Sequence, residues 1–308
     1  MNPWIRIMRP FNCFLISMCA IVGWIADNGR TVFTEHWPAL ILTFIGGWAL
    51  SAAAMILNDY FDIEIDKINQ PQRPIPSGEI KPKAALTVGI ILIAVGIFMG
   101  LGIDFFEYYV KGSAVFGVAL VTALVNTALL LSYTKILKRY SLLGNFGVSI
   151  GVWFGFLYGD LIVDFRLGWF TECLGFSAFI LNFGREIAKG ILDIEGDKEN
   201  NVTTVATAVG KKWTAYISAL FWCMAVTAVM LPIFVAEASW IYLASIMVCA
   251  VLALTVSIWI IINQSDKSIK IIKTIVLWTM LLALISFTLE ALLGDLIDPL
   301  ITATTTLI

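Results

Sequence analysis

Charge is what this chain has least of. Of its 308 residues only 14% are Asp, Glu, Lys or Arg, where soluble chains carry about a quarter. Apolar residues make up 59%, and the mean hydropathy is +0.89. A soluble globular domain is thereby excluded, and the length is taken up by membrane spans. There is one histidine, His36, and it stands away from the acid-rich regions, so no imidazole serves as a base there. The five cysteines (Cys13, Cys19, Cys173, Cys223 and Cys249) lie in or beside apolar runs and form no CxxC pair. That excludes a disulfide framework and a thiolate zinc site. No P-loop, GxGxxG fingerprint, HExxH or nucleophile elbow is present, so those nucleotide-binding and hydrolytic chemistries have no foothold.

What is present is a series of apolar runs of spanning length. A transmembrane helix needs about 20 mostly apolar residues. Segments 11–26, 38–57, 84–103, 113–133, 141–163, 168–189, 213–233, 239–262 and 271–293 meet that need, so nine spans are expected, with eight the alternative because the first is short and only Asp164-Phe165-Arg166 divides the fifth from the sixth. The first is read as a span rather than a signal peptide, because no small-residue cleavage site follows it. With the N-terminus placed in the cytoplasm, 17 of the 20 Lys and Arg fall inside, leaving Arg30, Lys111 and Arg166 outside. Such a bias is what the positive-inside rule demands. The net charge of −2 says little about partners, and nothing calls for a nucleic acid or an obligatory protein partner.

Two acid clusters interrupt this pattern. The first is Asn58-Asp59-Tyr60-Phe61-Asp62-Ile63-Glu64-Ile65-Asp66, and the second is Asp193-Ile194-Glu195-Gly196-Asp197. Each follows an apolar run, where carboxylates are costly and mark a functional site by default. Positions four apart share a helix face, so Asn58, Asp62 and Asp66 form a stripe with Asp59 beside it. Asp193 and Asp197 make the same pair on the helix that carries Arg185 and Lys189. Helix-end solvation explains any one acid but not the paired spacing; Glu64 and Glu195, off the stripes, are assigned to solvent. Magnesium takes hard oxygen ligands, commonly one or two carboxylates plus substrate phosphates. The two clusters therefore point to Mg²⁺ shared with a diphosphate, Asp59, Asp62, Asp66, Asp193 and Asp197 being the metal ligands.

Cations accompany the acids. Two prolines in Gln72-Arg73-Pro74-Ile75-Pro76-Ser77-Gly78 fix a turn that brings Arg73 towards the first cluster. Arg73, Arg185 and Lys189 are suited to phosphate oxygens. Arg9, Lys135, Lys138 and Arg139 fall on the same side of the membrane, and Tyr133 can shield an allylic cation through its π-face. Lys81, Lys83, Lys211, Lys212 and the lysines after 263 read as membrane-orienting anchors.

These residues resemble the UbiA family of intramembrane prenyltransferases. Asn58-Asp59-x-x-Asp62-x-x-x-Asp66 is similar to the family's NDxxDxxxD motif, and Asp193-x-x-x-Asp197 to its second DxxxD motif. Arg73-Pro74-x-Pro76-x-Gly78 and the stretch 185–210 resemble it too, and the likeness spans the whole chain. It implies a single all-α membrane domain over 1–308, a bundle of about nine transmembrane helices. Two cytoplasmic cap loops, about 58–83 and 186–212, would close a central cavity. It further implies Mg²⁺-dependent transfer of a polyprenyl group from its diphosphate to a lipid-like acceptor. Asn58, Asp62, Asp66, Asp193 and Asp197 would be the catalytic residues, and Arg9, Arg73, Tyr133, Lys138, Arg185 and Lys189 the substrate-binding ones.

The segment from Arg185 to Asp197 is most similar to the branch of archaeal digeranylgeranylglyceryl phosphate synthases and chlorophyll synthases. That implies geranylgeranylglyceryl phosphate as acceptor, and Arg9, Lys135, Lys138 and Arg139 as cations for its phosphate. Gly190 and Val205-Ala206 depart from the branch pattern and bear on the acceptor, not on the reaction class. One alternative is prenylation of an aromatic acceptor such as 4-hydroxybenzoate. A second is a cation-coupled transporter, although transporter sites lie near the bilayer midplane and these clusters stand at helix ends.

Overall fold

The computed structural model describes residues 2–305 apart from 30, 114–115, 136–140, 165–166, 200–201 and 236–237. Among the described residues every regular element is helical. In chain order they are α1 (Pro3–Met8), α2 (Pro10–Asn28), α3 (Thr31–Glu35), α4 (Trp37–Phe61), α5 (Ile63–Asn69) and α6 (Pro82–Phe105). A π-helical turn (Phe106–Val110) precedes α7 (Val118–Lys135). Then come α8 (Ser141–Asp164), α9 (Trp169–Lys189), α10 (Ile194–Glu199), α11 (Val205–Val235), α12 (Trp240–Ile262) and α13 (Asp266–Thr305). Several starts are written in the sequence: Pro10, Pro38 and Pro82 occupy first-turn positions where a missing N–H costs nothing.

Within the described residues, six helices are long and apolar enough to cross a membrane, in α4, α6 with its π-turn, α8, α11, α12 and α13. Pro10–Ala26 and Val118–Ser132 are shorter apolar helices. The fourth expected segment, 113–133, starts too early, since the helix begins only at Val118. Helices elsewhere run past the apolar segments, because a helix need not stop where the hydrocarbon does.

Each long helix packs on the next, and α13 returns to α2, so the bundle closes on itself. Across its middle α2 lies against α8, and glycine makes this possible: a Cβ on Gly159 would stand 1.9 Å from the Ala20 carbonyl oxygen, and one on Gly23 would stand 2.2 Å from that of Phe156. Small residues let helix backbones meet this closely without side chains between them. The outer surface is oily, with Ile90, Phe98, Leu220 and Ile258 all exposed. That is the pattern of a surface facing lipid.

Polar contacts sort the bundle into two ends. At one end Arg6 pairs with Glu79, Arg9 with Asp59 and Lys211 with Asp266. At the other, His36 Nδ1 lies 2.9 Å from Glu107, Lys111 pairs with Glu35, and Asp104 accepts from the Ala119 and Leu120 N–H groups at the start of α7. His36 thus contacts Glu107 at the end remote from the acid clusters.

Candidate active site

A cavity of about 480 Å³ opens among the helices. Its polar end is lined by Arg9, Asn58, Gln70, Arg73, Arg185, Glu186, Lys189, Asp193 and Lys273. Its apolar lining includes Gly46, Leu50, Leu129, Gly151, Phe156, Val229 and Phe287. Its volume falls within the roughly 300–1,000 Å³ of small-molecule sites.

The first acid stripe survives a break in its helix. α4 ends at Phe61 and α5 starts at Ile63, with Asp62 (φ −96°, ψ 8°) capping both. The Asp62 N–H nevertheless donates to the Asn58 carbonyl at 3.0 Å, and the Asp66 N–H to that of Asp62 at 2.8 Å. Four-residue spacing therefore carries through the junction. Asp59, Asp62 and Asp66 are all buried.

Arg73 reaches this stripe because its turn is anchored by oil. Ile75 and Ile80 bury themselves with Ile7, Ile56 and Ala85, and the Ile80 N–H donates to the Pro74 carbonyl at 2.8 Å. Gly78 supplies the left-handed turn residue at φ 80°. The chain is thus folded back, and Arg73 Nη1 donates to Asp66 at 2.5 Å and to Asp59 at 3.1 Å. Arg9, between α1 and α2, donates from Nη2 to Asp59 at 2.5 Å. It does so from a left-handed backbone (φ 51°, ψ 67°) that costs a non-glycine residue on the order of 1–2 kcal/mol. Strain of this kind persists where surrounding contacts impose it. Burial pushes the Asp66 carboxyl above the usual carboxylate range, outweighing Arg73 beside it.

The second motif departs from the expected helix. α9 ends at Lys189, a turn follows, and α10 begins at Ile194. Asp193 therefore precedes the short helix that carries Asp197, rather than riding on the helix of Arg185 and Lys189. The pair still holds its spacing, with the Asp197 N–H donating to the Asp193 carbonyl at 2.9 Å. Glu186 gathers the nearby cations, 2.7 Å from Arg185 Nη1 and 3.4 Å from Lys189 Nζ.

The two motifs meet where α5 packs on α10. Gly196 faces Asn69 so closely that an added Cβ would lie 2.0 Å from the Asn69 Oδ1. Among the described residues no three His, Cys, Asp or Glu side chains converge tightly enough to hold a metal alone. The donor chemistry still suits Mg²⁺ as an ion completed by substrate oxygens, since one or two hard carboxylates suffice for that mode.

Of the expected residues, Arg9, Asn58, Arg73, Arg185, Lys189 and Asp193 line the cavity. Asp59 and Asp66 are tied to it through Arg73, while Asp62 and Asp197 are buried and do not line it. Lys138, Arg139 and the side chain of Tyr133 lie outside the described residues. Sequence reasoning passed over Glu186 and Lys273. Lys273 follows Ile269 by four positions, on the face of α13 that carries the buried Ile269, Ile272 and Val276, whereas Lys267 and Lys270 are exposed. That helical phase is the signal that separates it from the anchoring lysines.

Comparison with known proteins places the chain in a family. The model of the UbiA prenyltransferase family matches residues 15–285. A digeranylgeranylglyceryl phosphate synthase from Methanosphaera stadtmanae is 32% identical over 295 residues, covering 95% of this chain and 100% of its own. A solved structure concerning digeranylgeranylglyceryl phosphate synthase superposes with a TM-score of 0.68 at 27% identity, over 94% of this chain and 97% of that one. The fold is also that of a UbiA homolog from Archaeoglobus fulgidus bound to GPP and Mg²⁺, with a TM-score of 0.61 and 15% identity over 93% and 99% of the two chains. This all-helical membrane protein belongs to the UbiA prenyltransferase family.

Proposed function

We propose that the chain transfers a geranylgeranyl group from its diphosphate to the free hydroxyl of geranylgeranylglyceryl phosphate, making the second ether bond of archaeal membrane lipids. The observation that carries this reading is one apolar cavity whose polar end is flanked by both acid motifs and by Arg9, Arg73, Arg185 and Lys189. Support comes also from the name of the relative that matches along its whole length.

Asn58, Asp62, Asp66, Asp193 and Asp197 would hold Mg²⁺ together with the diphosphate, as the bound Archaeoglobus homolog suggests by analogy. That ion supplies neutralisation of the charge gathering on the departing diphosphate. Arg73 and Lys189 bind the phosphate oxygens that remain free. Asp59, bonded to both Arg9 and Arg73, positions these two guanidiniums. The cavity wall sheds water from the prenyl chain and so protects the allylic cation formed as the C–O bond breaks. The acceptor hydroxyl oxygen then bonds to C1, and its proton passes to the released diphosphate as the ether forms.

The architecture we infer is a single domain over 1–308 with nine spans. Besides the six long apolar helices, these are α2, α7 and α9. The polar segments 58–83 and 186–212 act as caps. The acid-cluster end faces the cytoplasm by the positive-inside rule.

The test is an acceptor screen. Purified protein with Mg²⁺ and labelled geranylgeranyl diphosphate is offered geranylgeranylglyceryl phosphate or 4-hydroxybenzoate in separate reactions. Labelled diether phosphate from the first acceptor alone is expected. Label transferred to the aromatic acid instead would move the protein to quinone chemistry.

A further inference from the structure

The cations at the cavity mouth fall into two unlike groups. Arg9 and Arg73 are engaged with Asp59 and Asp66. The other group brings together Arg185 and Lys189 of α9 and Lys273 of α13, with Glu186 the acid in contact and Asp193 near Lys273. Arg185 is 9% exposed, and its Nε is buried without a hydrogen-bond partner. Lys273 is half-buried and lines the cavity, and among the described residues its ammonium makes no hydrogen bond or ion pair. A buried donor without an acceptor is costly, and three cations around one contacting carboxylate leave positive charge uncompensated. An anion entering from the cavity relieves both.

We propose that Arg185 and Lys273 form a subsite for the phosphate monoester of the acceptor, distinct from the diphosphate position at Arg73. The inference rests on the acceptor reading above. A phosphate monoester brings close to two negative charges and three strong acceptor oxygens. The Arg185 Nε–H and the Lys273 ammonium are donors able to meet it. Because the two side chains come from α9 and α13, the phosphate is gripped between two helices, which fixes the glycerol end relative to the diphosphate.

The experiment compares geranylgeranylglyceryl phosphate with geranylgeranylglycerol, which lacks the phosphate, in wild type, Lys273→Met and Lys273→Arg. Lys273→Met is expected to raise the acceptor KM by about tenfold or more, as loss of a charge-assisted bond implies. The KM for geranylgeranyl diphosphate should move far less, the penalty should be much smaller with geranylgeranylglycerol, and Lys273→Arg should recover most of the loss. Binding of geranylgeranylglyceryl phosphate without donor, read by tryptophan fluorescence, gives the same comparison if a variant loses turnover. A rise in the donor KM instead would assign Lys273 to the diphosphate and overturn the inference. Equal losses on both acceptors would reduce Lys273 to a structural role and overturn it as well. Wild-type protein that uses neither glyceryl acceptor but prenylates 4-hydroxybenzoate would instead refute the acceptor reading before any variant is made.

Discussion

Gly196→Ala tests whether the two acid motifs work as one site. The added methyl would stand 2.0 Å from the Asn69 Oδ1, 2.4 Å from its Cγ and 2.6 Å from its Nδ2. Ordinary carbon contacts lie at about 3.5–4.0 Å, so either α5 and α10 part by roughly 1 Å or more, or the Asn69 amide swings away. Overpacking of this kind costs about 1–3 kcal/mol. Asn69 is half-buried and has two side-chain torsions, so its amide can swing aside and only part of the strain falls on the helix pair. Parting the helices carries Asp197 away from Asp66, and a misplacement on the order of 1 Å can lower turnover about 100-fold. The assay is steady-state prenyl transfer at saturating Mg²⁺ by wild type, Gly196→Ala, Asn69→Ala and the double variant, with thermal melting as a folding check. Turnover should fall several-fold, up to about tenfold, in Gly196→Ala and return substantially in the double variant, where the opposing amide is gone. Wild-type turnover in Gly196→Ala would refute the argument that this contact sets the spacing of the motifs. A double variant as slow as the single one would refute the steric explanation.

Other outcomes follow from the same geometry. Asp59→Ala strips Arg9 of its acidic partner and one acceptor from Arg73; because both guanidiniums are partly exposed, a loss of about 1–3 kcal/mol is expected, read as a lowered melting temperature of the detergent-solubilised protein. Arg73 spends one nitrogen, Nη1, on Asp59 and Asp66, and Arg73→Lys keeps the charge but removes the other guanidinium N–H groups that would meet phosphate oxygens, so kcat/KM for the donor should fall about tenfold or more, and an unchanged value would exclude Arg73 from diphosphate binding. Asp62→Ala and Asp193→Ala should abolish transfer while the protein still inserts and melts cooperatively; turnover by either variant would break the shared-site account. EDTA should stop the reaction and added Mg²⁺ restore it, and full activity in EDTA would be incompatible with a metal-held diphosphate.

Much of this was legible in the sequence because membrane helices carry their signal locally. Apolar runs located the six long apolar helices, and the four-residue spacing of the acids held even though a junction at Asp62 interrupts the helix. Arg73 was placed near the first cluster by its prolines, and the structure adds the reason the turn returns, the burial of Ile75 and Ile80. What escaped depends on packing between distant elements. Nothing local says that Asp193 leaves its helix, since the turn after Lys189 contains no proline and Gly190 is the sole weak break. Pro10 signals a helix break at Arg9, because a residue before proline is pushed towards extended backbone, but nothing local marks the left-handed conformation that Arg9 adopts. Lys273 looked like its neighbours Lys267 and Lys270 until the phase of α13 turned it inward. The union of α5 and α10 depends on Gly196 and Asn69, which are far apart in the chain and carry no joint mark.

The measurement that bears most directly on the central claim is equilibrium binding of an unreactive thiolo analogue of geranylgeranyl diphosphate to wild type, Asp62→Ala and Asp193→Ala, with Mg²⁺ and without it. A single diphosphate site shared by both motifs predicts binding that requires Mg²⁺ and is lost in each variant. Mg²⁺-independent binding, or full affinity in either variant, would contradict it.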